Sequence, residues 1–148
     1  MNPNSDTAPG MQVVHLLRAI TVGFNLHGAE FAAANDLHTT DLRAIISLLD
    51  SERLGIVATP GRLGDDLRLN SASVTALVDR LERMGHVRRD RDEHDRRRVR
   101  LTVTPSAKEL GWAFFGPLMT RLVEVVSTFD PAEVATIERF LNAVNAVS

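Results

Sequence analysis

The stretch from Leu63 to Thr104 leaves this chain few folds to choose from. Leu63 and Leu67 define a short helix, with Gly64 where a neighbouring backbone can come close. Leu69-Asn70 breaks it, and Ser71 is placed to cap a second helix. In that second helix Val74, Leu77, Val78, Leu81 and Met84 form one apolar stripe, and Gly85 ends it. The opposite face carries Ala72, Ser73, Thr75, Ala76, Asp79, Arg80 and Arg83. Its first turns bear only small groups, so that face can lie close against a partner surface.

Two alternating runs follow, His86-Val87-Arg88-Arg89 and Val99-Arg100-Leu101-Thr102-Val103. They flank the charged turn Asp92-Glu93-His94-Asp95-Arg96-Arg97. This pattern predicts a β-hairpin with an arginine-rich tip. A helix pair followed by a basic hairpin is a winged helix-turn-helix, whose second helix enters the DNA major groove. In Leu63-x3-Leu67, in Val74-Thr75-x2-Val78-x2-Leu81-x3-Gly85 and above all in Asp95-x-Arg97-x3-Leu101-x-Val103-Thr104, the chain resembles the MarR family of transcription regulators. Glu93 stands where that family usually has a proline in the wing turn. Length and helix order agree with the family from about Met11 onward.

Charge is distributed in a way that the net value of −2 conceals. Between Arg80 and Arg100 there are nine arginines against five acids, whereas the rest of the chain has eight basic and fourteen acidic residues. Sixteen of the seventeen basic residues are arginine, whose planar fork suits phosphates and base edges better than a lysine does. The alternative for such a run is a solvated surface hairpin, which the preceding helix pair argues against. At 148 residues the chain suits one domain, or one core with oligomerising arms, and buries enough surface to fold without a staple. It has no cysteine, so thiol redox switching and thiolate metal binding are excluded. No signal peptide and no membrane span are expected.

In chain order, residues 1–10 read as a disordered tail, with two prolines and no apolar periodicity. Val13, Leu16, Leu17, Ile20, Phe24 and Phe31, with His27 on the same stripe, predict a long first helix within residues 11–36. Gly23 and Gly28 each cost such a helix about 1 kcal/mol and point to close packing or a bend. Thr39 or Thr40 caps the next helix, whose core face is Leu42, Ile45, Ile46 and Leu49. Gly55 to Ala58 are a candidate strand pairing with the wing. Thr59-Pro60 starts a helix, and Thr104-Pro105 repeats that device. The helix after the wing carries Leu110, Phe114, Leu118, Leu122, Val125 and Phe129, with Gly116-Pro117 expected to kink or split it. Asp130-Pro131-Ala132-Glu133 opens the last helix, striped by Val134, Ile137, Leu141 and Val144. The fold expected is mainly α (α+β). A winged helix-turn-helix spans residues 37–104, and residues 11–36 and 105–148 form a dimerisation layer.

Catalytic signatures are missing: there is no GxSxG elbow, no G-x4-GK[ST] phosphate loop and no HExxH. Neither the Asp92-Glu93-His94-Asp95 cluster nor the separated His15 and His27 makes a convincing metal site, and no cofactor is expected. For DNA, Ser71, Ser73, Thr75 and Ala76 are the groove-facing candidates, with Arg80 near the backbone. Arg91, Arg96 and Arg98 are candidates for phosphates, and Arg97 for the minor groove, where negative potential is concentrated. Asp95 is placed to hold the Arg97 guanidinium by a charge-assisted hydrogen bond, and the resemblance implies the same pair.

The resemblance further implies a homodimeric regulator, acting as a repressor on a pseudo-palindromic operator in double-stranded DNA. It also implies a small aromatic or amphipathic effector in a crevice between the two layers. His27 and Trp112 are the candidate effector residues. Two other classes compete: a winged-helix protein-interaction module, which the arginine concentration disfavours, and a small-molecule-binding enzyme on this fold, for which no nucleophile or acid–base pair stands out.

Overall fold

A computed structural model describes residue 8 and residues 10–147. Six helices and one hairpin follow in the order α1 (Met11–Ala34), α2 (Thr39–Arg53), α3 (Pro60–Leu67), α4 (Ser71–Arg83), β1 (Val87–Arg91), β2 (Val99–Val103), α5 (Pro105–Val126) and α6 (Pro131–Asn145). The chain divides into two compact units, one ending at Ala107 and the other beginning at Lys108. The tail expected over residues 1–10 lies outside the described residues, apart from Ala8 and Gly10, which turn the chain into α1.

The first unit is a winged helix-turn-helix. Its core is Phe31, Leu42, Ile45, Leu48, Leu63, Val74, Leu77, Val78, Leu81, Val87, Leu101 and Val103, all buried. Every apolar position expected on α4 between Val74 and Leu81 is among them. Helix α2 packs on α1, α3 and β2 at once, so its buried arc is wider than one stripe. Ala44 and Leu48 are buried in place of the expected Ile46, which is exposed, and Leu49 is half-buried. Gly64 does meet a neighbour: a Cβ there would stand 3.0 Å from the Leu69 carbonyl oxygen and 3.2 Å from Val74 Cγ2. Gly28 likewise lets α2 approach α1, its missing Cβ lying 3.1 Å from Leu42 Cδ2, whereas Gly23 faces open space.

Two caps fall one residue earlier than the sequence pattern indicated. Asn70, not Ser71, caps α4, its side chain accepting from the Ser73 N–H at 2.9 Å. Asparagine serves there as well as serine, and Ser71 is already helical. At α2 the cap is His38 rather than Thr39 or Thr40, and its N–H donates to the Asp41 carboxylate at 2.8 Å. The two Thr-Pro starts hold: Thr59 accepts from the Arg62 N–H, and Thr104 from the Ala107 N–H. Thr104 also donates to the Gly85 carbonyl at 2.7 Å, tying the wing's exit to the end of α4.

Residues 55–58 are not a strand. Gly55 takes a positive φ of 68° and the Ile56 N–H turns back to the Ser51 carbonyl, so the segment leaves α2 as a turn. One bond to the wing remains, from the Leu101 N–H to the Ala58 carbonyl at 2.8 Å. The sheet is therefore the two-stranded hairpin, with Val87 opposite Val103, Arg89 opposite Leu101 and Arg91 opposite Val99.

In the second unit, Gly116-Pro117 does not split the helix: α5 runs from Pro105 to Val126 with Pro117 inside it. The residue before a proline resists helical geometry partly through its Cβ, and Gly116 has none. Asp130 caps α6 with the expected reciprocal box, accepting from the N–H groups of Ala132 and Glu133 while Glu133 accepts from its own N–H. No residue of α6 is buried. Apolar side chains are exposed on α1 (Val14, Leu16, Ile20, Leu26), on α5 (Leu122, Val123, Val125) and on α6 (Phe140, Leu141). Among the described residues, no helix is long and apolar enough to cross a membrane.

Candidate nucleic-acid interface

Helix α4 presents Ser71, Ser73, Thr75 and Ala76 on its exposed face, while Val74, Leu77, Val78 and Leu81 hold it to the core. Asn70 closes its N-terminal turn, and the positive end of its dipole points outward with those small side chains. Thr75 donates its hydroxyl to the Ser71 carbonyl at 2.9 Å, so its methyl and a lone pair remain outward.

The wing tip is built by its own backbone. The Asp92 N–H donates to the Arg98 carbonyl, and the Arg98 N–H to the Asp95 carbonyl, both at 2.9 Å. Asp92 itself is buried at the base. The Asp95 carboxylate accepts from the backbone N–H of Arg97 at 3.0 Å. This corrects the expected Asp95–guanidinium pair: a carboxylate two residues back reaches the amide first, an Asx turn of ordinary form. Arg91, Arg96, Arg97 and Arg98 are all exposed, and none has a side-chain partner among the described residues. Three guanidinium groups without a side-chain partner thus share the loop from Asp92 to Arg98, and Arg91 adds a fourth at the end of β1.

Two further arginines, one on α4 and one on β1, are engaged differently. Arg80, expected beside the DNA backbone, is turned inward: its Nε donates to Asp41 Oδ1 at 3.1 Å, and its Nη2 donates to the same oxygen. Asp41 is fully buried, and this guanidinium is its counter-charge, so Arg80 leaves the set of phosphate candidates. Sequence periodicity missed the pair because 39 residues separate its members. Arg89, never singled out, binds two acids on α4, Asp79 at 2.5 Å and Glu82. The Asp79 hydrogen bond raises the Arg89 pKa; burial opposes it, and the Glu82 hydrogen bond and the charges of both acids add to the rise. The signal was present: Arg89 alternates in phase with Val87, so it faces α4, and Asp79 and Glu82 stand one turn apart there. These contacts join β1 to α4.

The candidate effector residues lie in different units. His27 is half-buried with Nδ1 3.7 Å from Glu30, and Trp112 is exposed with its indole over Gly116. Among the described residues no group of three or more His, Asp or Glu converges as a metal site.

Residues 40–99, from the start of α2 to the first residue of β2, match the MarR family. The uncharacterized HTH-type transcriptional regulator YcgE of Bacillus subtilis is 32% identical over 138 residues, which cover 93% of this chain and 87% of that protein. A MarR family protein from Bacillus stearothermophilus shares the fold at a TM-score of 0.65 and 26% identity, over 99% of this chain and 96% of the other. MepR of S. aureus shares it at 19% identity: the TM-score is 0.73 for a clinical-isolate mutant, over 91% of this chain and 96% of that one, and 0.58 for its complex with DNA, over 90% and 98%. Since the matched segment contains the helix pair and the wing tip, and similarity to YcgE runs nearly end to end, the chain belongs to the MarR family of HTH-type transcriptional regulators.

Proposed function

We propose that this regulator binds a pseudo-palindromic operator as a homodimer, with α4 in the major groove and the wing tip at the minor groove. It represses by occluding a promoter and is released by a small-molecule effector. The observation that carries the reading is the cluster of exposed, unpaired arginines at the wing tip, Arg96, Arg97 and Arg98 in the loop and Arg91 at the end of β1. Ser71, Ser73, Thr75 and Ala76 meet base edges, Arg97 enters the minor groove, and Arg91, Arg96 and Arg98 meet phosphates. The complex of MepR with DNA shows that a protein of this fold reaches DNA. Selection of genomic fragments by the purified protein, followed by titration at several salt concentrations, tests it. Recovery of one two-fold symmetric sequence, bound with a steep negative salt slope, is expected. Salt-independent retention, or no enriched sequence, defeats the proposal.

The dimer rests on the apolar side chains that α1, α5 and α6 leave exposed in a single chain; Val14, Leu26 and Val123 are 55%, 63% and 67% accessible. Two recognition helices would then read half-sites about 34 Å apart. Deleting residues 131–148 is expected to give a monomer or an aggregate with poor operator affinity, as read by light scattering and operator titration. A truncated monomer binding the full operator normally would remove α6 from the dimer layer.

Asp95→Ala is expected to weaken operator binding although it deletes a negative charge from a surface that approaches phosphates. Its carboxylate holds the backbone turn that carries Arg96, Arg97 and Arg98, and re-ordering one residue of backbone on binding costs about 1–2 kcal/mol. Because Asp95 holds the Arg97 amide, not its guanidinium, the loss should persist in an Arg97→Ala background. Tighter binding by Asp95→Ala at fixed salt would show that the acid is wing-surface charge and nothing more.

A further inference from the structure

Helix α4 carries charge on the face that its small side chains leave open. Asp79 follows Thr75 by four positions and Ala76 by three, so it continues their exposed line toward the C-terminal end of the helix. Glu82, also exposed, stands one turn further on. Two acids there are out of place on a surface that approaches phosphates. Arg80 does not answer them, since its guanidinium is turned inward to Asp41. Arg83 donates its Nε to the Asp79 carbonyl at 3.3 Å, not to the carboxylate. Within α4, two carboxylates therefore stand against a single outward cation.

The balance comes from the wing. Arg89 on β1 donates Nη2 to Asp79 Oδ1 at 2.5 Å and Nη1 to Glu82 Oε2, and its backbone N–H donates to Glu82 Oε1 at 3.4 Å. One planar fork thus spans two carboxylates a helical turn apart. The Arg89 side chain is 30% exposed, against 52% for Asp79 and 42% for Glu82, so the cation is the inner member and the acids are the outer ones. Strand parity puts it there. Arg89 is in phase with buried Val87, whereas Arg88 and Asp90 take the alternate phase and pair with each other at 3.0 Å.

We propose that Arg89 is a positioning residue for DNA binding that acts through Asp79 and Glu82, masking the acids that α4 would otherwise turn toward the phosphates of the major groove. A helix lying in a groove about 12 Å wide keeps its outward side chains within about one screening length, ~10 Å, of the phosphates on either wall. Like charges still repel at that range. A carboxylate on such a helix can instead accept from a cytosine amino group, but Asp79 is already engaged. This role rests on the reading that α4 enters the major groove.

The test is a double-mutant cycle on the full chain, titrated with the duplex recovered by fragment selection at low and at high salt. Arg89→Gln removes the cation, Asp79→Asn with Glu82→Gln removes the acids, and a third variant carries all three changes. Arg89→Gln is expected to lower affinity about tenfold at low salt and less at high salt, because the repulsion it uncovers is screened. The acid-free variant should bind at least as tightly as wild type, and the triple variant should recover wild-type affinity to within about twofold. Removing the acids thus gains far more without Arg89 than with it. Arg89→Lys, which keeps the charge and loses the fork, should retain most of the affinity. Little folding stability depends on such part-exposed pairs, and denaturant unfolding checks that each variant is folded. Unchanged affinity in Arg89→Gln overturns the proposal. So do equal gains from acid removal with and without Arg89, the mark of a direct phosphate contact. Weakened binding by the acid-free variant with no recovery in the triple also overturns it, leaving only a mechanical tie between β1 and α4. A wild type that retains no duplex at either salt fells the DNA reading and this role with it; the other outcomes, read against a wild type that binds, concern Arg89 alone.

Discussion

Arg80→Ala is expected to destabilise the winged unit by about 3–5 kcal/mol, because it leaves Asp41 buried with its counter-charge gone. The two halves of the pair are not equivalent. Asp41 is 0% exposed and would keep only the His38 N–H as a donor, whereas the Arg80 side chain is 37% exposed and can turn to water. Asp41→Ala should therefore cost less than Arg80→Ala, its main losses being the pair itself and the helix cap. The cap alone is worth about 0.5–2 kcal/mol. Replacing both residues by apolar ones of similar volume, Asp41→Leu with Arg80→Met, should lie closer to wild type than Arg80→Ala does. Denaturant unfolding at one fixed protein concentration measures all four proteins. A loss below about 1 kcal/mol for Arg80→Ala would mean that the pair is solvated and contributes little. Operator titration adds a second reading. A guanidinium committed to Asp41 releases no counterion, so the salt slope should not change, where a lost phosphate contact would lower it by about 1.

Arg96→Ala, Arg97→Ala and Arg98→Ala combined should leave stability unchanged and lower operator affinity by roughly two to three orders of magnitude at moderate salt. All three side chains are exposed and unpaired, so folding gains little from them. In the proposed complex two meet phosphates and one the minor groove. From the two phosphate contacts the salt slope should become shallower by about 2 per wing, and by twice that in the dimer. Arg97→Ala alone should also relax preference at the base steps beneath the wing, whereas Arg96→Ala and Arg98→Ala should weaken all sequences alike. A drop of less than about tenfold for the triple variant would place the wing off the DNA and move the whole burden of recognition to α4.

Local pattern made much of this fold legible. The α4 stripe, the hairpin, both Thr-Pro helix starts and the Asp130–Glu133 box could be read because each lies within a few residues of chain. What could not be read depends on pairing across distance. Asp41 looks like a helix-entry acid until α4 brings Arg80 against it, and Arg80 looks like a DNA contact for the same reason. Ile46 was given the place of Leu48 because one stripe was assumed for a helix that three elements cover. Of the kink or split expected at Gly116-Pro117 the split does not occur, because the glycine before the proline has no Cβ to clash with it. At the candidate interface, composition showed that arginines gather at the wing. Only register and partners show that Arg80 and Arg89 hold the scaffold while Arg91, Arg96, Arg97 and Arg98 stay free.

That division follows from strand parity, and it has a consequence for how such a wing can change. The residues paired from Val87–Val103 to Arg91–Val99 tolerate no single insertion, since a slip of one would bury Arg88 or Arg100 where Val87 or Leu101 now sits and would pull Arg89 away from Asp79. The seven residues from Asp92 to Arg98 are outside the ladder and anchored only at their ends. Length and charge there can drift without re-registering the core. The hairpin thus separates a part that must be inherited unaltered from a part that is cheap to rewrite, and the rewritable part is the one that meets the outside world.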